Sequence, residues 1–165
     1  MLKIISGGQT GADRAALELA REHGLPTGGY APLGFLTELG PDPSLAAFGL
    51  TELGSKSYPE RTYLNARDAE LTVWYGTLGS AGYKCTKNAC LSYGRPFLVN
   101  PAPAALLAEL RARSAKTLNV AGNRASRNSG IAAHVRELLT PVLTSLRSAR
   151  ESAQDFQRAE SEDAG

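Results

Sequence analysis

The run Ile4-Ile5-Ser6-Gly7-Gly8-Gln9-Thr10-Gly11-Ala12-Asp13-Arg14 has the residue types of an anion site. An apolar strand runs into glycines, whose backbone turns sharply and exposes its N–H groups. A helix follows, and its first turn offers unsatisfied N–H donors at the positive end of the helix dipole. Strand, glycines and helix start together suit phosphate. The spacing is neither G-x-G-x-x-G nor a Walker A loop, because no Gly-Lys-Ser/Thr follows. The chemistry indicated is anion binding, with no particular nucleotide specified.

Two later segments repeat the pattern. Thr77-Leu78-Gly79-Ser80-Ala81-Gly82 leads into Tyr83-Lys84-Cys85-Thr86, and Gly122-Asn123-Arg124-Ala125-Ser126-Arg127-Asn128-Ser129 forms the third loop. Candidate binding groups are Gly7, Gly8, Gln9, Thr10, Gly11 and Arg14 in the first loop. The second contributes Gly79, Ser80, Gly82 and Thr86, and the third Gly122, Asn123, Arg124 and Ser126. No Asp or Glu lies between Leu71 and Ala108, whereas Lys84, Lys87 and Arg95 do. Such a stretch suits an anionic ligand and offers neither carboxylates for a divalent metal nor a general base. Cys85 and Cys90 match neither C-x-x-C nor a zinc pair, and read as inert thiols. No catalytic or metal-ligating residue is assigned.

These loops need strands and helices to hold them on one rim. Leu2–Ser6 reads as a buried strand. Thr10 caps a helix over about 11–23, with Asp13 completing a capping box, and Gly24 and Pro26 stop it. Residues 26–57 hold six glycines and four prolines, a long connection with one short strand near Gly29–Ala31. Ser57-Tyr58-Pro59-Glu60 opens a second helix through about Asp68. Leu71–Tyr75 is a strand, 84–93 a helix, 96–100 a strand, 104–115 a helix and 117–121 a strand. A last helix starts near Ser129 with an apolar stripe from Ile131 to Leu146, and Pro141 is expected to kink or split it. The alternation predicts an α/β single domain: a mostly parallel sheet with helices on both faces, and a ligand at the carboxyl ends of the strands.

Bulk properties agree with a soluble domain. The chain has 165 residues, 42% hydrophobic and 21% charged, with no long apolar span and no signal-like start. A reducing cytoplasm is the expected setting. Net charge is +2, split between about +6 for residues 1–150 and −4 for the acidic tail 151–165, which is expected to be disordered. The surplus suits a small anion and is too modest for nucleic acid. No membrane partner is expected.

Three strings carry a family resemblance: Gly7 to Arg14; Gly28-Gly29-Tyr30-Ala31-Pro32-Leu33-Gly34 with Tyr58, Arg61, Thr62, Asn65 and Asp68; and Leu118 to Ser126. In this order they resemble the molybdenum-cofactor carrier proteins of the SLOG superfamily, a Rossmann-like group that includes the Lonely-Guy phosphoribohydrolases. The resemblance covers about residues 3–140. It implies a self-associating domain that binds the phosphorylated pterin of the molybdenum cofactor (molybdopterin) without transforming it. It carries over to Gly7, Gly8, Gln9, Thr10 and Arg14, to Arg61, Thr62 and Asn65, and to Gly122, Arg124 and Ser126. Arg61 and Asn65, four apart, share a helix face. The chain departs from the pattern at Phe35–Leu39 and at Tyr83 after Gly82. It lacks the Pro-Gly-Gly-x-Gly-Thr string and following Glu of the Lonely-Guy enzymes. Two alternatives stand beside the carrier: a nucleotide or nucleoside-monophosphate hydrolase, with Glu38, Glu52 and Asp68 as acids near the rim, and a nucleotide-sensing module.

Overall fold

The computed structural model describes residues 1–163, with side chains through residue 158. The elements, in chain order, begin with strand β1 (Lys3–Ile5), helix α1 (Ala12–Glu22) and strand β2 (Thr27–Ala31). A small hairpin of β3 (Leu36–Thr37) and β4 (Gly40–Pro41) follows, then a 3-10 helix at Pro43–Phe48 and strand β5 (Leu50–Glu52). Next come α2 (Tyr58–Asp68), β6 (Leu71–Tyr75), α3 (Ala81–Ser92), β7 (Phe97–Val99), α4 (Pro103–Ala112), β8 (Thr117–Gly122) and α5 (Ile131–Asp163).

Six strands form one sheet in the order β5-β2-β1-β8-β6-β7, and every pairing in it is parallel. The expected Rossmann-like α/β fold is therefore the observed one. β6 (Leu-Thr-Val-Trp-Tyr) is buried along its whole length, as a strand covered on both faces should be. Helices α1, α4 and α5 pack Ala15, Ala16, Leu19, Leu106, Val135 and Leu139 onto one face. On the other face α2 and α3 close a smaller core of Ala66, Ala89 and Cys90. A third core of Leu17, Ala31, Leu45, Phe48 and Leu50 lies beneath the 3-10 helix.

The topology locates the functional edge. The chain moves outward from β1 to β2 and β5, crosses by α2 to β6 and β7, and returns as β8 between β1 and β6. Strand order reverses there, so a crevice opens at the carboxyl ends of β1, β8 and β6. The three anticipated loops leave those ends.

Several local expectations are corrected. Residues 26–57 hold the hairpin, the 3-10 helix and β5 as well as β2. Thr10 does not cap α1: the N-cap is Gly11 (φ 82°), with no side-chain cap bond. Thr10 instead donates to Glu38 and accepts from Ala125 N. Ser57 does cap α2, accepting from Glu60 N at 3.3 Å. α3 begins at Ala81, three residues earlier than expected, because Ser80 caps it by accepting from Tyr83 N at 3.1 Å. α5 continues through Pro141 as one helix. It also carries residues 151–163 as helix where a disordered tail was expected; residues 164–165 lie outside the described residues. Among the described residues, no helix is long and apolar enough to cross a membrane.

Gly122 shows how tightly the crevice is built. A Cβ there would sit 2.3 Å from Tyr75 O and 2.5 Å from Ala12 Cβ. Backbone in a central strand cannot yield easily, so Gly122→Ala should lower unfolding stability by about 1–3 kcal/mol. Urea denaturation checks this through a lower midpoint.

Candidate functional site

The loops after β1, β6 and β8 are joined by the protein's own hydrogen bonds. Ala12 N donates to Asn123 O (3.2 Å), and Asn123 N donates to Tyr75 O (3.0 Å). Asn123 Oδ1 accepts from Thr77 N at 2.7 Å. Asn100 brackets Gly76, accepting from its N–H (2.8 Å) and donating to its carbonyl (3.0 Å). Gly76 must be glycine: its φ is 129°, and a Cβ would lie 2.2 Å from Asn123 Oδ1.

The tip of the β3–β4 hairpin clamps the first and third loops together. The Glu38 side chain is 10% exposed. It accepts from the hydroxyls of Thr10 and Ser126 and from Ser126 N (3.1 Å), with Arg124 Nε at 3.8 Å. Burial alone would raise this carboxyl, but the Ser126 and Thr10 hydrogen bonds and the Arg124 charge hold it below the ordinary range. Gln9 works beside it: Oε1 accepts from Thr10 N (3.0 Å) and Glu38 N (2.9 Å). Two backbone donors at one oxygen fix the orientation of the amide, so its Nε2 faces away from both.

Deeper in, Asp13 is 3% exposed. Its Oδ2 accepts from Arg61 Nη1 (2.9 Å) and from Gln9 N (3.3 Å). Burial pushes this carboxyl up, and the Arg61 charge and hydrogen bond pull against it. Arg61 reaches Asp13 across Gly7, where a Cβ would fall 1.1 Å from its Nη1. That close approach is the use of Gly7.

Between these groups and α3 lies a cleft of about 220 Å³. Of the expected residues, Gly7, Gln9, Arg61, Thr62, Asn65, Ser80, Gly82, Thr86, Gly122, Asn123 and Arg124 line it. Gly8, Thr10, Gly11, Arg14, Gly79 and Ser126 do not. Gly8 faces the third core, where a Cβ would meet Leu45 and Leu50 at 2.8 Å. Gly11 packs against Asn123 O and Ala125 N. Arg14 turns outward to Glu18 (2.9 Å), Asp42 (2.8 Å) and the Phe48 ring. Thr10 and Ser126 are spent on Glu38. Asn65 spends its amide on β2, accepting from Tyr30 N and donating to Tyr30 O. Asp68 and Glu52 bind elsewhere, to Tyr30 and Gly34 N.

Sequence reasoning missed six lining residues: Asp13, Trp74, Ala81, Asn119, Ala121 and Arg127. Arg127 was legible as the second arginine of its loop. Asp13 was hidden by its resemblance to a cap residue. Trp74 is a core residue, 2% exposed, that also lines the cleft. Tyr83 packs edge-on against Trp74 (5.7 Å between centroids) rather than lining the cleft. Burial pushes the Cys85 and Cys90 thiols up, which keeps both neutral.

The lining is short of partners at three donors. Gln9 Nε2, Arg61 Nε and Trp74 Nε1 are buried and meet no hydrogen-bond acceptor. Buried donors without partners are uncommon, and all three belong to residues of the cleft wall. α3 opens onto the same space, with Ser80, Ala81 and Gly82 at its N-terminus. Arg61, Arg124 and Arg127 make the wall basic; Asp13, the one carboxylate of the lining among the described residues, is paired with Arg61.

A parallel sheet with a basic cleft at its topological switch point defines a Rossmann-like domain of the α/β class. The chain belongs to the circularly permutated YpsA SLOG family, whose model matches residues 4–143. It is similar to the solved structure of a putative molybdenum carrier protein from Syntrophus aciditrophicus SB, with 32% identity and a TM-score of 0.76. The match covers 85% of this chain and 93% of that one. A search of curated proteins finds no match.

The Glu38 clamp has a pH signature. Its lowered carboxyl contributes stability that is complete above the ordinary value of 4.5 and is lost as pH falls through the lowered folded value. Glu38→Ala should cost about 1.5–3 kcal/mol at pH 7. Denaturation of parent and variant across pH 3–7 should show the gap narrowing toward the acid end.

Proposed function

We propose that this protein binds the phosphorylated pterin of the molybdenum cofactor as cargo, with the phosphate at the N-terminus of α3. The carrying observation is the pair of buried, unpartnered donors, Gln9 Nε2 and Arg61 Nε, on the cleft wall that α3 faces. A helix N-terminus supplies N–H groups and a positive dipole end. Arg124 and Arg127 stand over the same space with planar forks of donors matched to phosphate oxygens. The description of the similar Syntrophus protein as a putative molybdenum carrier supports the choice of cargo.

Size supports partial enclosure. Pockets that engulf drug-sized ligands run to about 300–1,000 Å³, and this cleft is smaller. On this reading it seats the phosphate and the adjoining ring, with Trp74 Nε1 as a further donor, and leaves the rest accessible for transfer. The residues fit such a group through its oxygens: the wall presents donors. Holding and release need no bond to form or break in the cargo. The nucleotide hydrolase reading predicts instead that incubation with nucleoside monophosphates yields free base or nucleoside, which chromatography would detect.

Arg124→Ala removes a charge-assisted contact of about 1.5–3 kcal/mol, or roughly tenfold to a hundredfold in affinity. Calorimetric titration with a phosphorylated pterin should show that loss. Lys87→Ala, exposed and outside the cleft, should change affinity by less than about twofold. Equal binding by the parent and both variants contradicts the proposal.

A further inference from the structure

The opposite edge of the molecule carries a second, larger feature. A groove of about 480 Å³ opens between the start of β1, the end of α4 and the middle of α5. Its floor is apolar, formed by Leu2, Leu25, Leu110 and Leu146. Its rim is basic, with Arg111, Lys116, Arg147 and Arg150, and among the described residues its lining holds no Asp or Glu. Arg111 donates to Ser145 Oγ (3.2 Å) and Arg150 to Met1 Sδ (3.2 Å), both neutral partners. Arg147 lies 3.6 Å from Glu151, an exposed pair of the i,i+4 type.

α5 leaves the domain beside this groove. Its buried stripe runs from Ile131 through Leu143, with Leu146 half-buried, and ends there. The helix continues to Asp163, about 25 Å further at 1.5 Å per residue. Residues 151–158 of this arm are exposed, including Phe156 at 65%. The sequence from 151 to 165 carries a net charge of −4. The arm thus has an apolar ring and acids, and the groove has an apolar floor and bases. A continuous helix cannot turn back into its own groove.

We propose that the arm docks in the groove of a second copy of this chain. Leu146, Arg147 and Arg150 line the groove and directly precede the arm. A two-fold axis near Arg150 would lay the two arms antiparallel, each in the other copy's groove. Such an arrangement is isologous: both copies use the same surface. Phe156 anchors on the leucine floor, and Glu151 and Asp155 face the basic rim. The charge pairing weakens with salt, and the apolar anchor does not.

The test uses the full chain. Light scattering at low salt should give the parent a mass of two copies, or a multiple of two. Arg111→Glu/Lys116→Glu in the groove and Glu151→Lys/Asp155→Lys in the arm should each halve that mass. An equimolar mixture of the two variants should restore it, because one groove and one arm remain complementary. Phe156→Asp should also halve the mass, with an unchanged far-UV spectrum showing that the fold survives. A parent of one copy, variants that keep the parent's mass, or a mixture that stays at the variants' mass would each overturn the proposal. Phosphate-ligand binding is measured separately and bears on the cleft alone.

Discussion

The carboxylate of Asp13 at the start of α1 is the constraint on which the site depends. It lies buried where that helix would otherwise attract an external anion, and it accepts from Gln9 N and Arg61 Nη1. A carboxylate at a helix N-terminus is favourable to the dipole, and here it belongs to the helix itself. Arg61, drawn to Asp13 across Gly7, is pinned on the cleft wall with its buried Nε left without a partner. The first loop therefore works as a wall. The helix start left open is that of α3, on the far side of the same space.

The second constraint is the Glu38 clamp. It ties the first loop to the third through Thr10, Ser126 and Arg124, and Gln9 ties the hairpin to the first loop. Burying a carboxylate is expensive unless it is well satisfied, and Glu38 has four donors around it. The same clamp sets where Arg124 stands over the cleft and which end of the Gln9 amide is free. The hairpin and the cleft wall thus share the same hydrogen bonds.

Much of this was legible in the sequence. The β6 pattern, the Ser57–Pro59 helix start and the placement of three glycine-bearing loops on one edge follow from periodicity and turn chemistry. Eleven of the expected residues line the cleft. What was not legible depends on distant partners. Thr10 and Asp13 have the spacing of a capping box, but Thr10 is taken by Glu38, 28 residues on, and Asp13 by Arg61, 48 residues on. Arg14 looked poised for the ligand and instead holds Asp42 and Ser44. The hairpin of 36–41 is too short to show a strand period. Local propensity could not reveal which glycines expose N–H groups and which, like Gly7 and Gly122, make room for a neighbour.

Amide chemical shifts of nitrogen-15-labelled protein, titrated with a phosphorylated pterin, test the central claim most directly. The account predicts the largest movements at Ala81 and Gly82, with the side-chain signals of Arg61 Nε and Gln9 Nε2 moving in step. Largest movements at Gly8 and Gly11, with Ala81 and Gly82 unmoved, would contradict it and return the anion to the start of α1.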